Sequence, residues 1–77
     1  MNITINYFGM LTDATGCATE TITFYGNTVK QLLDELYKKY PKLATNNFQV
    51  AQNQTLVTTE EPLTGEEIAL LPPFSGG

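Results

Sequence analysis

The 77-residue sequence contains no histidine, a single cysteine and only four basic residues, all of them lysines. Histidine is the usual general base and the commonest metal ligand, so its absence argues against a self-contained catalytic or metal site. The lone Cys17 cannot form an internal disulfide, which favours a cytoplasmic protein. The formal net charge of −4 argues against a nucleic-acid partner, because phosphates attract Lys and Arg.

Other missing sequence features exclude further classes of protein. No apolar run approaches the roughly 20 residues that span a membrane, and residues 1–4 show a strand pattern rather than a signal peptide. No glycine-rich phosphate loop is present, so the chain is not expected to bind ATP or another cofactor by itself. The glutamates between residues 60 and 67 match no calcium loop. They are interpreted as a solvated acidic rim that complements a basic partner.

The first third of the chain has the alternation of β-strands. Residues 2–8 place Ile3, Ile5 and Tyr7 on one face, and residues 20–25 alternate again. Residues 9–19, rich in glycine and threonine, are predicted to be a loop. Together these features predict an antiparallel hairpin.

A helix is predicted next, beginning after Thr28. Thr28 is a suitable N-cap, and Gln31 completes a capping box. Six apolar residues follow at helical spacing and predict one buried stripe: Val29, Leu32, Leu33, Leu36, Tyr37 and Tyr40. Pro41 is expected to end the helix, and residues 42–47 are predicted to be loop-like.

The remaining elements predict short strands. Residues 48–51 and 55–57 flank a possible tight turn at 53–54. Residues 68–71 are apolar on both faces, which predicts a central strand. With 42% hydrophobic residues, residues 1–77 are predicted to form a single α+β domain, in which a mixed sheet of four or five strands packs on one main helix.

An apolar cluster is predicted on the open face of the sheet. If Ile68 and Leu70 face the helix, Leu71 faces away from it, and Phe8 and Leu56 have no obvious place in the core. Exposed apolar clusters often mark a partner site. The alternatives are that loops cover these residues, or that they form a second small core.

Residues 72–77 read Pro-Pro-Phe-Ser-Gly-Gly and predict a flexible, slender C-terminal tail. Proline keeps its neighbours extended, and Gly76 and Gly77 can pass through a slot that excludes side chains. Phe74 is suited to anchor in a pocket. We hypothesise that the Gly77 carboxylate is the working chemical group; an ordinary frayed terminus is the alternative.

The ending 72–77 resembles that of MoaD-type sulfur carriers, the small subunits of molybdopterin synthase, which have the ubiquitin-like β-grasp fold. The resemblance extends through Tyr7-Phe8-Gly9, the predicted helix and residues 53–57 and 62–69. Two positions depart from the family pattern. Thr12-Asp13 replace a basic–acidic pair after the first strand, which puts one salt bridge to the partner in doubt, and Phe74 is bulkier than the usual small aliphatic residue.

The resemblance implies a sulfur-transfer cycle in which this chain is non-catalytic alone. An E1-like adenylyltransferase would use ATP to adenylate the Gly77 carboxylate, and a sulfur donor protein would convert it to a thiocarboxylate. The large synthase subunit would then receive the tail and pass sulfur to cyclic pyranopterin monophosphate, within a two-plus-two complex. Gly76 and Ser75 would thread the channel. The docking residues would be Phe8, Leu56, Leu71 and Phe74.

Three other functions remain open. A sulfur carrier for thiamine thiazole synthesis would share the fold and the tip chemistry. A ubiquitin-like modifier would join Gly77 to lysines of target proteins. A plain interaction domain would make no chemical use of the tail.

Overall fold

The computed structural model describes residues 1–64 and 67–73. Two α-helices, a 3₁₀ helix and five strands are found in these residues. In chain order they are β1 Asn2–Tyr7, α1 Leu11–Thr15, β2 Thr19–Thr23, α2 Val29–Lys39, the 3₁₀ helix Pro41–Thr45, β3 Gln49–Gln52, β4 Thr55–Val57 and β5 Glu67–Leu71.

The strands form one mixed sheet in the order β2-β1-β5-β3-β4. β1 pairs parallel to β5, whereas β1–β2, β3–β4 and β3–β5 are antiparallel. The predicted α+β fold with a mixed sheet is therefore confirmed, and its last strand is central. Because β5 lies between β1 and β3, the chain leaves the sheet from its middle.

The core lies between the sheet and α2. Alternation along β1 and β5 turns Ile3, Ile5, Ile68 and Leu70 towards the helix, where each is fully buried. The predicted stripe of α2 meets them, with Val29, Leu32, Leu33 and Leu36 buried and the two tyrosines partly buried against the core.

The predicted capping box starts α2. The Thr28 hydroxyl accepts a hydrogen bond from the Gln31 backbone N–H at 3.2 Å, and the Gln31 side-chain oxygen accepts one from the Thr28 N–H at 3.2 Å. These bonds satisfy N–H groups that the first turn leaves without a helical partner. At the other end the helix finishes at Lys39, just before Pro41.

The prediction that two segments are loops is wrong in part. Residues 9–19 contain α1, and residues 42–47 overlap the 3₁₀ helix. Each segment is held by one fully buried leucine, Leu11 in α1 and Leu43 in the 3₁₀ helix, and the two elements contact each other. A five-residue helix is too short to show the periodicity on which a sequence-based prediction depends.

Strand ends shift by one or two residues from the prediction, and the tight turn is confirmed. Asn53 and Gln54 have φ of 51° and 69°, the left-handed pair that a two-residue hairpin turn of type I′ requires. Within the described residues no helix is long and apolar enough to cross a membrane.

Candidate docking surface and C-terminal segment

The face of the sheet turned away from α2 has a polar half, formed by β1 and β2. Their antiparallel register places threonines opposite asparagines and another threonine. Three side-chain hydrogen bonds of 2.9–3.1 Å connect Asn2 with Thr23, Thr4 with Thr21, and Asn6 with Thr19. These side chains therefore hydrogen-bond one another on the surface of the sheet.

The other half of this face is apolar. Phe8 is 46% exposed and Leu56 58% exposed, and both line a shallow cavity of ≈ 400 Å³ together with Ala69, Leu71 and Pro72. We call these five residues the apolar surface. The structure therefore brings together Phe8, Leu56 and Leu71, as the sequence predicted. Their role in binding a partner stays a prediction.

Strand register explains how distant residues meet there. Ala51 of β3 lies opposite Leu56 of β4 on one side and Ala69 of β5 on the other. Directly opposed residues share a face of the sheet, so the small Ala51 lies between Leu56 and Ala69. This leaves a shallow depression rather than a filled core.

The apolar surface lies where the C-terminal segment leaves the sheet. Leu71 ends β5, and Pro72 is part of the surface. Next along the chain, the Pro73 carbonyl accepts a hydrogen bond from Gln49 Nε2 at 3.3 Å. Phe74, Ser75, Gly76 and Gly77, which carry the predicted tail chemistry, lie outside the described residues.

A second polar cluster lies on the opposite, helix-facing side. Glu20 accepts hydrogen bonds from the Tyr7 hydroxyl at 2.6 Å and from Lys39 Nζ at 2.7 Å. Burial alone would raise the pKa of Glu20, but hydrogen bonds from Lys39, Tyr7 and Tyr40 outweigh it and lower the pKa. Burial, reinforced by the hydrogen bond to Glu20, raises the pKa of Tyr40 to about 12. These groups join α2 to the sheet.

The remaining sequence candidates are separate from the apolar surface. Cys17 is half-buried, with its Sγ 4.0 Å from the Tyr40 hydroxyl. Asp13 is exposed on α1, and the Thr12 hydroxyl donates a hydrogen bond to the Gly9 carbonyl at 2.9 Å. Among the residues described, no three carboxylate or thiol groups come together as metal ligands.

Sequence reasoning missed Gln49, which lies beside the root of the tail. The prediction placed residue 49 in a short strand but assigned it no function. Its bond to Pro73 joins residues 24 positions apart, and no local pattern indicates such a contact. Only the pairing of Gln49 with Leu71 in the β3–β5 register brings them close.

Comparison with known structures finds the same fold across the whole chain. SAMP1 from Haloferax volcanii is 27% identical over 100% of both chains, with a TM-score of 0.81. In a complex of subunits 1 and 2 of molybdopterin-converting factor from Helicobacter pylori, a matching chain is 26% identical over 100% of both chains, with a TM-score of 0.69. A provisionally assigned molybdopterin converting factor subunit 1 from Pyrococcus furiosus shares the fold at 22% identity and a TM-score of 0.87, covering 96% of this chain and 99% of its own.

A family model matches nearly the entire sequence. The ThiS family model covers residues 5–77, so the match includes both the β-grasp domain and the Gly-Gly ending. Together with the fold, this match shows that the chain belongs to the ThiS family.

Proposed function

We propose that this chain is the sulfur carrier subunit of a molybdopterin synthase, with Gly77 as the residue that carries the sulfur. The observation behind the proposal is the position of the apolar surface at the root of the C-terminal segment. A partner that covers Phe8, Leu56 and Leu71 meets Pro72 in the same contact. The four residues after Pro73 span at most about 14 Å when extended, enough to enter a pocket beside that contact.

The proposed partner is the large subunit of the synthase. The Helicobacter pylori relative forms a complex of subunits 1 and 2 of molybdopterin-converting factor, and this chain aligns with a member of that complex over its full length. The exposed Phe8 supplies an aromatic side chain of the kind enriched at protein interfaces, and Leu56 adds apolar area beside it.

In the proposed chemistry, the chain supplies a carboxylate and other proteins activate it. A Gly77 carboxylate oxygen attacks the α-phosphate of ATP on an E1-like adenylyltransferase, and pyrophosphate leaves. Sulfur at the oxidation level of sulfide, delivered by a donor protein, displaces AMP from the acyl adenylate and leaves a thiocarboxylate. On the large subunit, the ionised sulfur attacks a carbon of cyclic pyranopterin monophosphate and displaces an oxygen substituent from it. Water then hydrolyses the resulting thioester, which leaves the sulfur on the pterin and regenerates the Gly77 carboxylate, and a second such transfer completes the dithiolene.

The test is the intact mass of the protein after incubation with the E1-like enzyme of the molybdopterin pathway, ATP and a sulfur source. The expected result is replacement of one oxygen by sulfur, mapped to Gly77 by fragmentation, followed by sulfur loss when the large subunit and cyclic pyranopterin monophosphate are added. A chain lacking Gly77 is the control. A shift obtained only with the thiamine-pathway enzyme would contradict the assignment.

A second candidate function is that of a protein modifier. It is favoured by the 27% identity to SAMP1, a small archaeal modifier protein. A modifier would form an amide bond between the Gly77 carbonyl and a lysine amine of a target, with AMP as the leaving group. Recovery of chymotryptic peptides that carry a Ser-Gly-Gly remnant (residues 75–77, after cleavage at Phe74) on lysines of many cellular proteins would support this function over sulfur transfer.

A further inference from the structure

The end of β5 and the start of the C-terminal segment, residues 70–73, are hydrogen-bonded on both sides, by a residue next to β1 and by a residue of β3. On the β1 side, the Phe8 N–H donates a hydrogen bond to the Leu70 carbonyl at 3.1 Å. On the β3 side, Gln49 Nε2 donates to the Pro73 carbonyl at 3.3 Å. The two contacts bracket the end of β5, one within the strand and the other two residues beyond it.

Ordinary strand pairing cannot hold the chain beyond Leu71. Pro72 and Pro73 have no N–H group, so neither can donate to a neighbouring strand. The carbonyl of Pro73 remains available as an acceptor. The Gln49 side chain supplies a donor for this carbonyl. Gln49 lies opposite Leu71 at the last β3–β5 pair, so its side-chain amide lies within hydrogen-bonding distance of Pro73.

Gly9 supports Pro72 from the other side. Its φ is +60°, a conformation that glycine adopts without strain. A Cβ at this position would lie 2.8 Å from the Pro72 Cγ, closer than van der Waals contact allows. The missing side chain therefore lets the turn after β1 lie directly against the proline ring.

From these contacts we infer that Gln49 and Gly9 are positioning residues that fix the direction in which the C-terminal segment leaves the sheet. The effect of this direction on activity rests on the proposed function, in which the segment places the Gly77 sulfur in a partner's pocket. Over the roughly 14 Å that four extended residues span, a swing of about 15° at Pro73 displaces the tip by about 4 Å. Misplacement of a reacting group by about 1 Å can lower a rate about 100-fold.

Gln49→Met is the sharpest variant, because methionine keeps the length and apolar contacts of the side chain but has no N–H donor. Gln49→Arg restores a donor and is the rescue variant. Asn47→Ala removes an exposed amide just before β3 and is the matched control. Gly9→Ala pushes Pro72 from the opposite side; because a strained φ also lowers stability, its melting temperature is measured alongside.

The experiment measures single-turnover sulfur transfer from thiocarboxylated chains at saturating large subunit, together with partner affinity and the ¹³C shift of the Pro73 carbonyl. For Gln49→Met we expect a rate about three- to tenfold lower, because loss of one neutral hydrogen bond lowers the population of the correctly directed segment by about that factor. The Pro73 shift should change, while Kd and Tm should match the wild type. Gln49→Arg should recover the rate and Asn47→Ala should leave it unchanged.

Two outcomes separate this inference from the proposed function. If the wild type transfers sulfur and Gln49→Met transfers it at the same rate with an unchanged Pro73 shift, the positioning role is wrong and the proposed function stands. A wild-type chain that is thiocarboxylated but transfers nothing would overturn the molybdopterin assignment. In that case the Pro73 shift in Gln49→Met and Gly9→Ala still decides whether these two residues hold the root of the segment.

Discussion

Glu20 links the sheet to α2 through charged hydrogen bonds. Its carboxylate receives the Tyr7 hydroxyl on one oxygen and Lys39 Nζ on the other, and its side chain is only 15% exposed. Glu20→Gln is expected to lower the free energy of unfolding at pH 7 by about 1 kcal/mol, since Lys39 is half-exposed and solvent weakens its contribution. Denaturant titration measures the change.

The same carboxylate predicts a pH dependence of stability. Its folded-state pKa lies below the ordinary 4.5, so its contribution is present above pH 4.5 and is lost as the pH falls through the folded-state value. Glu20→Gln should remove this part of the acid dependence. Glu35→Gln is the control, because Glu35 lies 3.9 Å from Lys38 in an exposed pair. An equal effect of both variants would show that the Glu20 bonds add no more stability than the exposed Glu35–Lys38 pair.

Leu71 tests the apolar surface at a single position. It is half-buried on the open face, whereas its neighbour Leu70 is fully buried in the core. Leu71→Asp is expected to weaken binding to the large subunit at least tenfold, because an aspartate must be desolvated in an apolar contact. Calorimetric titration gives the Kd, and thermal unfolding should show a smaller effect.

The matched control for Leu71 is Thr21→Asp, which places a carboxylate on the polar half of the same face. Its partner Thr4 is exposed enough to hydrogen-bond water. If both variants bind the large subunit as tightly as the wild type, neither half of the open face is the docking site. If only Thr21→Asp weakens binding, the docking site is the polar half.

At the scale of elements, the start of α2 depends on Thr28. Its hydroxyl accepts a hydrogen bond from the Gln31 backbone N–H, and the Gln31 side chain accepts one from the Thr28 backbone N–H. Thr28→Ala is expected to lower the free energy of unfolding by about 1 kcal/mol, as for other N-cap threonines. Urea denaturation provides the measurement. Thr58→Ala, an exposed threonine outside the strands, should have no comparable effect; equal losses would show that the cap is unimportant.

The elements differ in how far their sequences predict them. α2 has eleven residues, a capping signal and a regular apolar stripe, so it is predictable from local sequence. α1 and the 3₁₀ helix have five residues each and depend on the burial of Leu11 and Leu43. Their conformation is stabilised by tertiary contacts, and five residues are too few to show a helical period in the sequence.

At the scale of the whole molecule, the proposed function separates a folded domain from the terminal carboxylate that would carry the chemistry. The buried core that the structure describes is formed by residues between Ile3 and Leu70. Addition of one residue after Gly77, or deletion of Gly77, is therefore expected to abolish sulfur transfer and leave Tm unchanged. Intact mass and transfer assays measure the loss. If the added residue is part of an extension that a protease removes directly after Gly77, cleavage should restore transfer. A lengthened chain that still supports molybdopterin synthesis would contradict the carboxylate hypothesis.

Charge is distributed unevenly between the two layers. All four lysines lie on α2 and the 3₁₀ helix, while Glu67 alternates with Ala69 and Leu71 along β5 and shares their open face. A partner with a basic rim should therefore associate more slowly at high salt. We expect the association rate to fall several-fold between about 0.05 and 0.5 M salt.

Two single-charge variants locate this effect. Glu67→Gln on the open face should weaken the salt dependence measured by stopped flow. Asp34→Asn on the exposed side of α2 should leave it nearly unchanged. If the two variants behave alike, steering depends on net charge alone and the open face has no special part in it.

The sequence by itself determined the features that repeat over a few residues. Alternation predicted β1 and β2, a run that is apolar on both faces predicted β5, helical spacing predicted α2, and Asn53-Gln54 predicted the turn between β3 and β4. It also supplied the Gly-Gly ending and the out-of-phase positions of Phe8, Leu56 and Leu71. These follow from the sequence because the pleat of a strand and the pitch of a helix set the direction of each side chain.

Only the tertiary structure decided which of these features meet. Parallel pairing of β1 with β5 and antiparallel pairing of β3 with β5 bring Phe8, Leu56 and Leu71 to one surface. The same pairing places Gln49 beside Pro73 and Gly9 against the Pro72 ring. Strand order and register minimise the exposure of the whole apolar core, and no segment of the chain contains that information alone.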